Sequence, residues 1–402
     1  MGTEQEQPVQ LGFTGSRREM AGILLRGYGL MLPTIGMYRF WVTNWKRRFY
    51  WSNTEIDGDP LEYTGEALQL LVGFMLALIV FVPIYALLFY ISTQNGDVTL
   101  IGYGSIAVIL WFLAGYAGYR ARDFRLSRTL WRGIRFDQGG SAFGYAFRRF
   151  GWSLLMGLTL GLIYPWMSAN LWRYRWTNTW YGDRQFGFSG RARVLIIPYY
   201  LAYFTVVIVG TIGAAISAGM GVFTPNWAEN PAALLPALLA ALLCGAAILL
   251  YQAREMSRFW SLVQIGPAAL RVTIHGRSLI GQYLAFGLAL LAAYIILAIG
   301  GVVVLYGVAS DAFTDTGFDM AVFMSHLQGS LGTVVAVVVG YLLILAAFSF
   351  MYELFVRLSF WKLVARNASI TNVASLRGVR ARGEDKTLAG EGLADALNVG
   401  AY

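Results

Sequence analysis

The sequence predicts an all-α polytopic membrane protein with three spanning helical hairpins, two re-entrant or interfacial broken helices and a small cytoplasmic β-containing layer, arranged as an internal repeat. Three observations predict this class. The 402 residues are 57% hydrophobic and only 13% charged, against roughly 25% charged in an ordinary soluble protein. Six apolar runs are long enough to cross about 30 Å of hydrocarbon. All 31 Lys and Arg lie outside three windows, 49–119, 194–253 and 278–356, and each window holds two of those runs. Cytoplasmic loops collect Lys and Arg whereas short outer loops do not, so each window reads as an in-out-in hairpin.

In chain order, residues 9–135 form a first unit, with a weak apolar segment at 21–43 followed by spans at 67–92 and 99–119. The weak segment carries Arg26 and Arg39 and is broken by Gly and Pro. Residues 136–265 form a second unit: a similar broken segment at 150–172, then spans at 194–221 and 231–252. The loops on either side of 150–172 hold eight and five Arg, so this segment starts and ends on one side. It reads as re-entrant or interfacial, and 21–43 likewise; eight ordinary spans with a broken charge rule are the alternative. Non-helical backbone at membrane depth requires protein or water to satisfy its polar groups, so both segments should pack against the spans. Residues 266–366 form a shortened third unit with spans at 279–308 and 330–356, and 367–402 a polar cytoplasmic tail. The outer connections carry Asp97, Glu229, Asp311, Asp315 and Asp319 without a basic residue. No signal peptide is visible ahead of the first apolar stretch, and both termini are expected in the cytoplasm.

The repeat is read from residues 30–65, which align without a gap with 155–190 at an offset of 125. Identical pairs include Thr34/Thr159, Gly36/Gly161, Trp41/Trp166, Arg48/Arg173, Trp51/Trp176, Asn53/Asn178, Thr54/Thr179 and Gly65/Gly190. The shared plan is a broken helix, a basic aromatic helix, an Asn-Thr stop, a turn and a strand ending in Gly. Alternating segments that close on Gly15, Gly65, Gly139, Gly190 and Gly276 are strand candidates, either pairing into a cytoplasmic layer or standing as isolated extended loops.

The two copies "TIGMYRFW" and "TLGLIYPW", the stretch "RYRWTNTWYGDRQFGFSG" and the ending "GEGLADALNVGAY" together resemble the YjgN family of bacterial inner-membrane proteins, a family of unknown function. The resemblance covers roughly residues 9–402 and implies a multi-pass bacterial inner-membrane protein, with no reaction, ligand or cofactor to carry over. The first copy departs in having Arg39 and Phe40 where the second has Tyr164 and Pro165.

Composition narrows the chemistry. One Cys and two His exclude an internal disulfide and make a metal or iron–sulfur centre implausible, so no cofactor and no metal is expected. The spans carry no ionisable residue at mid-depth, which disfavours ion-coupled transport. Glu353 is expected to pair with Arg357 one turn away. Asn-Thr followed by "IDGD" or "WYGD" reads as a helix stop and turn, and an enzyme is the least favoured class. What remains is the interleaving of aromatic and basic residues, because Trp prefers the headgroup region and cytoplasmic cations attract anionic lipid at about 1 kcal/mol each. Candidate headgroup or ligand contacts are Trp41, Arg47, Arg48, Trp51, Asn53, Trp166, Arg173, Arg175, Trp176 and Asn178. The sequence therefore points to a non-enzymatic module that engages anionic lipid or a small amphiphile, with uncoupled transport open. The alternative is a structural scaffold that recruits a cytoplasmic partner. Membrane lipids are the expected partners and nucleic acid is not; a protein partner or homo-oligomer is left open.

Overall fold

The computed structural model describes residues 8–94, 96–224, 230–314 and 317–382. In chain order the first part comprises β1 (Val9–Phe13), α1 (Arg17–Met31), α2 (Arg39–Ser52), β2 (Thr54–Ile56), β3 (Asp59–Tyr63), α3 (Ala67–Ser92), α4 (Gly96–Ser127), β4 (Thr129–Trp131) and β5 (Ile134–Gln138). The middle comprises α5 (Ala142–Leu158), α6 (Tyr164–Thr177), β6 (Thr179–Tyr181), β7 (Arg184–Phe188), α7 (Arg193–Gly219), α8 (Leu235–Trp260), β8 (Val263–Ile265) and β9 (Ala268–Val272). The last part holds α9 (Gly276–Val308), a two-stranded excursion of β10 (Phe313–Thr314) and β11 (Gly317–Phe318), α10 (Met320–Gly329), α11 (Leu331–Met351), a π-helical turn over Tyr352–Arg357, α12 (Leu358–Arg366) and β12 (Ala368–Thr371).

The expected all-α molecule with only a small β layer is overturned. Ten short strands close into an antiparallel barrel in the order β1-β12-β9-β8-β7-β6-β5-β4-β3-β2, with β1 pairing back onto β2. The five segments singled out in the sequence are β1, β3, β5, β7 and β9, or every five-residue strand of the ring. Their partners escaped because they are only three or four residues long and follow directly on a helix end, where they read as a stop and a turn. The turns themselves are hairpin turns. Asp57-Gly58 and Arg132-Gly133 both have φ between 52° and 80°, the pair of positive angles that matches strand twist in a two-residue connection.

The barrel interior is packed with side chains. Trp131, Tyr181, Ile265 and Ala268 are buried there, with Ile56, Leu61, Ile134, Phe136, Phe186 and Ile370 against them, each on the inward phase of its strand. The chain beyond β12 turns in and adds Val373, Leu376 and Val379 to the same cluster. It is fixed by Asp183, whose N–H donates to the Arg380 carbonyl while its side chain accepts from the Arg380 N–H, and by Arg382 over the Trp180 ring at 4.6 Å. Burial pushes the Tyr181 phenol up to about 12, so it stays a donor, here to the Trp131 carbonyl at 3.0 Å.

Every helical pair leaves from the barrel and returns to it. Among the described residues six helices are long and apolar enough to cross a membrane: Ala67–Ser92, Gly96–Ser127, Arg193–Gly219, Pro231–Trp260, Gly276–Val308 and Leu331–Arg366. Their outer faces expose Ile79, Phe89, Ile208, Leu242, Ile296 and Val303, as lipid-facing surfaces do. The pairs α1–α2 and α5–α6 are shorter, at 14 to 17 residues per helix, or about 21–26 Å. Each breaks in the same way: Gly36 N–H donates to the Met31 carbonyl and Gly161 N–H to the Met156 carbonyl, both at 2.8 Å. The residue before each Gly, Ile35 or Leu160, has φ near 50°. This is a left-handed helix-ending motif that usually takes Gly, so Ile35 and Leu160 hold strained backbone.

With Tyr181 filling the barrel's centre, Tyr181→Ala should cost about 3–5 kcal/mol. Thermal unfolding in mild detergent, followed by near-ultraviolet circular dichroism, checks that loss.

Candidate functional site

The junction between helix ends and barrel is where the aromatic and basic residues meet. At three of the junctions, those leading into β2, β4 and β6, the helix end is tied to the first residue of the next strand by a threonine. The hydroxyls of Thr54, Thr129 and Thr179 donate to the carbonyls of Tyr50, Arg125 and Arg175, four residues back, at 2.7–2.8 Å. The same hydroxyls accept in turn, Thr54 from Trp361 Nε1, Thr129 from Trp51 Nε1, and Thr179 from Arg122. Asn53 and Asn178 cap α2 and α6, each with its amide donating to the carbonyl four residues back, and Asn367 does the same after α12. The Asn-Thr stop read in the sequence is thus a helix cap followed at once by a barrel strand.

Most of the ten candidate contacts serve this junction. Arg48 and Arg173 donate to the carbonyls of Gly65 and Gly190, the glycines closing the strands that follow. Arg47 donates to Tyr63 Oη at 2.8 Å. Trp51 lies 5.5 Å from both Tyr63 and Trp361, and Trp176 lies 5.4 Å from Phe186 and 5.5 Å from Trp260. Trp41 stacks on Tyr38 at 5.5 Å. Arg175 sits over the Trp172 ring at 5.3 Å. Residues identical at the 125 offset, Thr34/Thr159, Gly36/Gly161, Arg48/Arg173, Asn53/Asn178 and Thr54/Thr179, make matching bonds. What the two stretches share is therefore largely framework, and chemistry peculiar to one of them must come from where they differ.

They differ beside α6. A cavity of about 310 Å³ opens between α5, α6 and the start of α7, lined by Trp152, Trp166, Asn170, Arg173, Arg191 and Arg193 together with Ala169 and Ala192. Trp166 is 41% exposed there. Asn170 Oδ1 is buried and has no hydrogen-bond partner among the described residues, an uncommon state for a polar atom. Three guanidinium groups, and the positive end of the 27-residue α7, make this cavity cationic. At the 125 offset Trp152, Arg191 and Arg193 are replaced by Gly27, Glu66 and Leu68, which removes an aromatic wall and two of the three cations. Sequence reasoning named Trp166 and Arg173 but missed Trp152, Asn170, Arg191 and Arg193. The signal was present: extending the aligned stretch by three residues reverses the charge at Glu66/Arg191.

Two further clusters flank the cavity region. The break between α5 and α6 is held by a tyrosine ladder on α7, in which Tyr203, Tyr199 and Tyr200 donate to the carbonyls of Leu160, Gly161 and Leu162 at 2.7–2.9 Å. Near it, the buried Glu255 accepts from Ser168 Oγ at 2.5 Å and from Tyr164 Oη at 3.1 Å. On the α1–α2 side the buried Glu353 is paired with Arg357, as the spacing predicts, and also with Lys46 Nζ at 2.9 Å and Tyr50 Oη at 2.8 Å. Burial, and then the Glu353 carboxylate, push the Tyr50 phenol well above its ordinary range, so it remains a donor. Among the described residues no group of His, Cys, Asp and Glu is arranged to hold a metal ion.

Six bilayer-length apolar helices planted on a closed strand ring, with a cationic aromatic cavity at the seam, define a helical membrane protein. The chain belongs to the family described as "bacterial protein of unknown function (DUF898)", whose family model matches residues 8–396, and this is the YjgN family that the motifs resemble. No curated protein and no solved structure matches the chain.

Removing the ladder hydroxyls should loosen the broken hairpin. Tyr199→Phe with Tyr203→Phe removes the hydroxyl donor to the Leu160 carbonyl and one of two donors to the Gly161 carbonyl, which keeps the Tyr164 N–H, at about 1–3 kcal/mol in all. A lowered midpoint in thermal unfolding, with faster hydrogen exchange over residues 156–164, is the expected outcome.

Proposed function

We propose that the protein is a non-enzymatic membrane module that engages the headgroup of an anionic lipid or similar amphiphile, with the barrel on the cytoplasmic side. The observation that carries this reading is the cavity beside α6, where Arg173, Arg191 and Arg193 converge with Trp152 and Trp166 at the foot of an apolar helix. Cations and tryptophans at that level match the headgroup layer, where each suits its surroundings. The side-chain-filled barrel gives no support to conduction along its axis. Orientation follows the charge rule: the helix ends that meet the barrel carry the basic residues, whereas the far connections carry Asp97, Asp311 and Asp319. With the barrel inside, α1–α2 and α5–α6 enter the membrane and return without crossing it, and the two stretches at the 125 offset are copies of one re-entrant unit.

The lipid reading is tested on the second unit. Arg191→Gln with Arg193→Gln removes two cations worth about 1 kcal/mol each, so retention of phosphatidylglycerol in native mass spectrometry should fall by about thirtyfold. Arg48→Gln, which alters only the corresponding framework contact in the first unit, should leave retention unchanged. Equal retention in all variants would sink the idea.

The orientation is tested in intact bacteria. In a Cys244→Ser background, a membrane-impermeant maleimide should label Asp97→Cys and leave Glu62→Cys unlabelled; the reverse pattern refutes a cytoplasmic barrel.

A further inference from the structure

Farther along α7 from the cationic cavity, the helix carries a separate apolar groove. A groove of about 590 Å³ is lined by Ile196, Ile197, Leu201, Phe204 and Ile208 among others, all on that helix. Arg193, Ile197, Leu201, Phe204 and Ile208 follow one another at intervals of four, four, three and four residues, so they form one stripe on a single helix face. That stripe begins at the cavity. Tyr200 lines the groove and donates to the Leu162 carbonyl in the α5–α6 break. From Ile196 to Val209 the helix rises about 20 Å, somewhat more than the about 15 Å of hydrocarbon in one leaflet. At the 125 offset the stripe would start from Leu68, not Arg193, so the first unit does not join a cation to an apolar stripe there.

We infer that one anionic phospholipid lies lengthwise on α7, with its phosphate among Arg173, Arg191 and Arg193 and one acyl chain in the groove past Leu201 to Ile208. This rests on the headgroup reading of the cavity and adds that the ligand must carry a chain. The occupant is chosen by charge: three guanidinium groups favour a lipid of net negative charge over a zwitterionic one whose phosphate is offset by its own ammonium, and a free phosphate would leave the groove unused. A single tethered ligand gains from both parts, because holding the headgroup raises the local concentration of the chain beside the groove.

The experiment uses the full-length protein in vesicles containing phosphatidylglycerol or phosphatidylcholine that bears a diazirine midway along one chain. Cross-links are mapped by mass spectrometry. The expected result is that the anionic probe concentrates on α7 between Leu201 and Ile208 by about tenfold over the neutral probe, and that Arg191→Gln with Arg193→Gln abolishes the concentration. Leu201→Trp, which fills the groove without touching the cations, should reduce cross-linking there while glycerol phosphate added as competitor displaces the lipid only weakly. Three results overturn the inference. If the anionic probe spreads evenly over all six apolar helices while its retention still depends on Arg191 and Arg193, the groove is not a site and the headgroup reading stands. If glycerol phosphate competes as well as the lipid, the ligand is a soluble anion. If retention and cross-linking both ignore the two arginines, the headgroup reading fails with it.

Discussion

Everything else in this molecule depends on closing the ring of strands. Ten strands of three to five residues would present unpaired N–H and C=O groups if the sheet ended anywhere, and such an edge invites pairing with other chains. Closure removes the edge. It is achieved by β1, which pairs through Val9 and Gln10 with Ile370 and Ser369 on one side and through Leu11, Gly12 and Phe13 with Ile56, Glu55 and Thr54 on the other. A chain that wanders through five helical pairs is thereby fastened at its first strand to its last.

The ring in turn positions the helices. Each short strand begins where a helix ends, and at β2, β4 and β6 the threonine at that point satisfies a helix carbonyl while it receives a Trp or Arg donor from a neighbouring element. Polar groups at the seam are thus shared between neighbours around the circumference, so no helix can be repositioned alone. The two shorter pairs need further support where their backbone breaks. On the α5–α6 side three tyrosines of α7 supply it; on the α1–α2 side Thr34 does so locally, donating to the Leu30 carbonyl and accepting from the Tyr38 N–H.

Much of the architecture was legible in the sequence because its physical signals are strong and local. Long apolar runs and the placement of Lys and Arg gave the six long helices, and alternation ending in Gly gave the five longer strands. The barrel was not legible, for a physical reason: β2, β4, β6 and β8 have three residues each, too few for alternation to stand out, and closure is a property of long-range pairing. Lys46 reaching Glu353 across about three-quarters of the chain is invisible for the same cause. The cavity was half legible. Similarity drew attention to Trp166 and Arg173, yet the informative positions were those just past the similar stretch, where Arg191 stands against Glu66. The final stretch "GEGLADALNVGAY" and the outer residues Glu229 and Asp315 lie outside the described residues.

The order in which the ring is assembled has a consequence for biogenesis. Residues 368–371 leave the ribosome only after all six apolar helices have been synthesised, so β9 and β1 wait with open edges while the rest of the protein is being inserted. Any product that stops short of residue 368 carries that open edge permanently, and quality-control proteases would meet it as an unfinished sheet rather than as a missing tail.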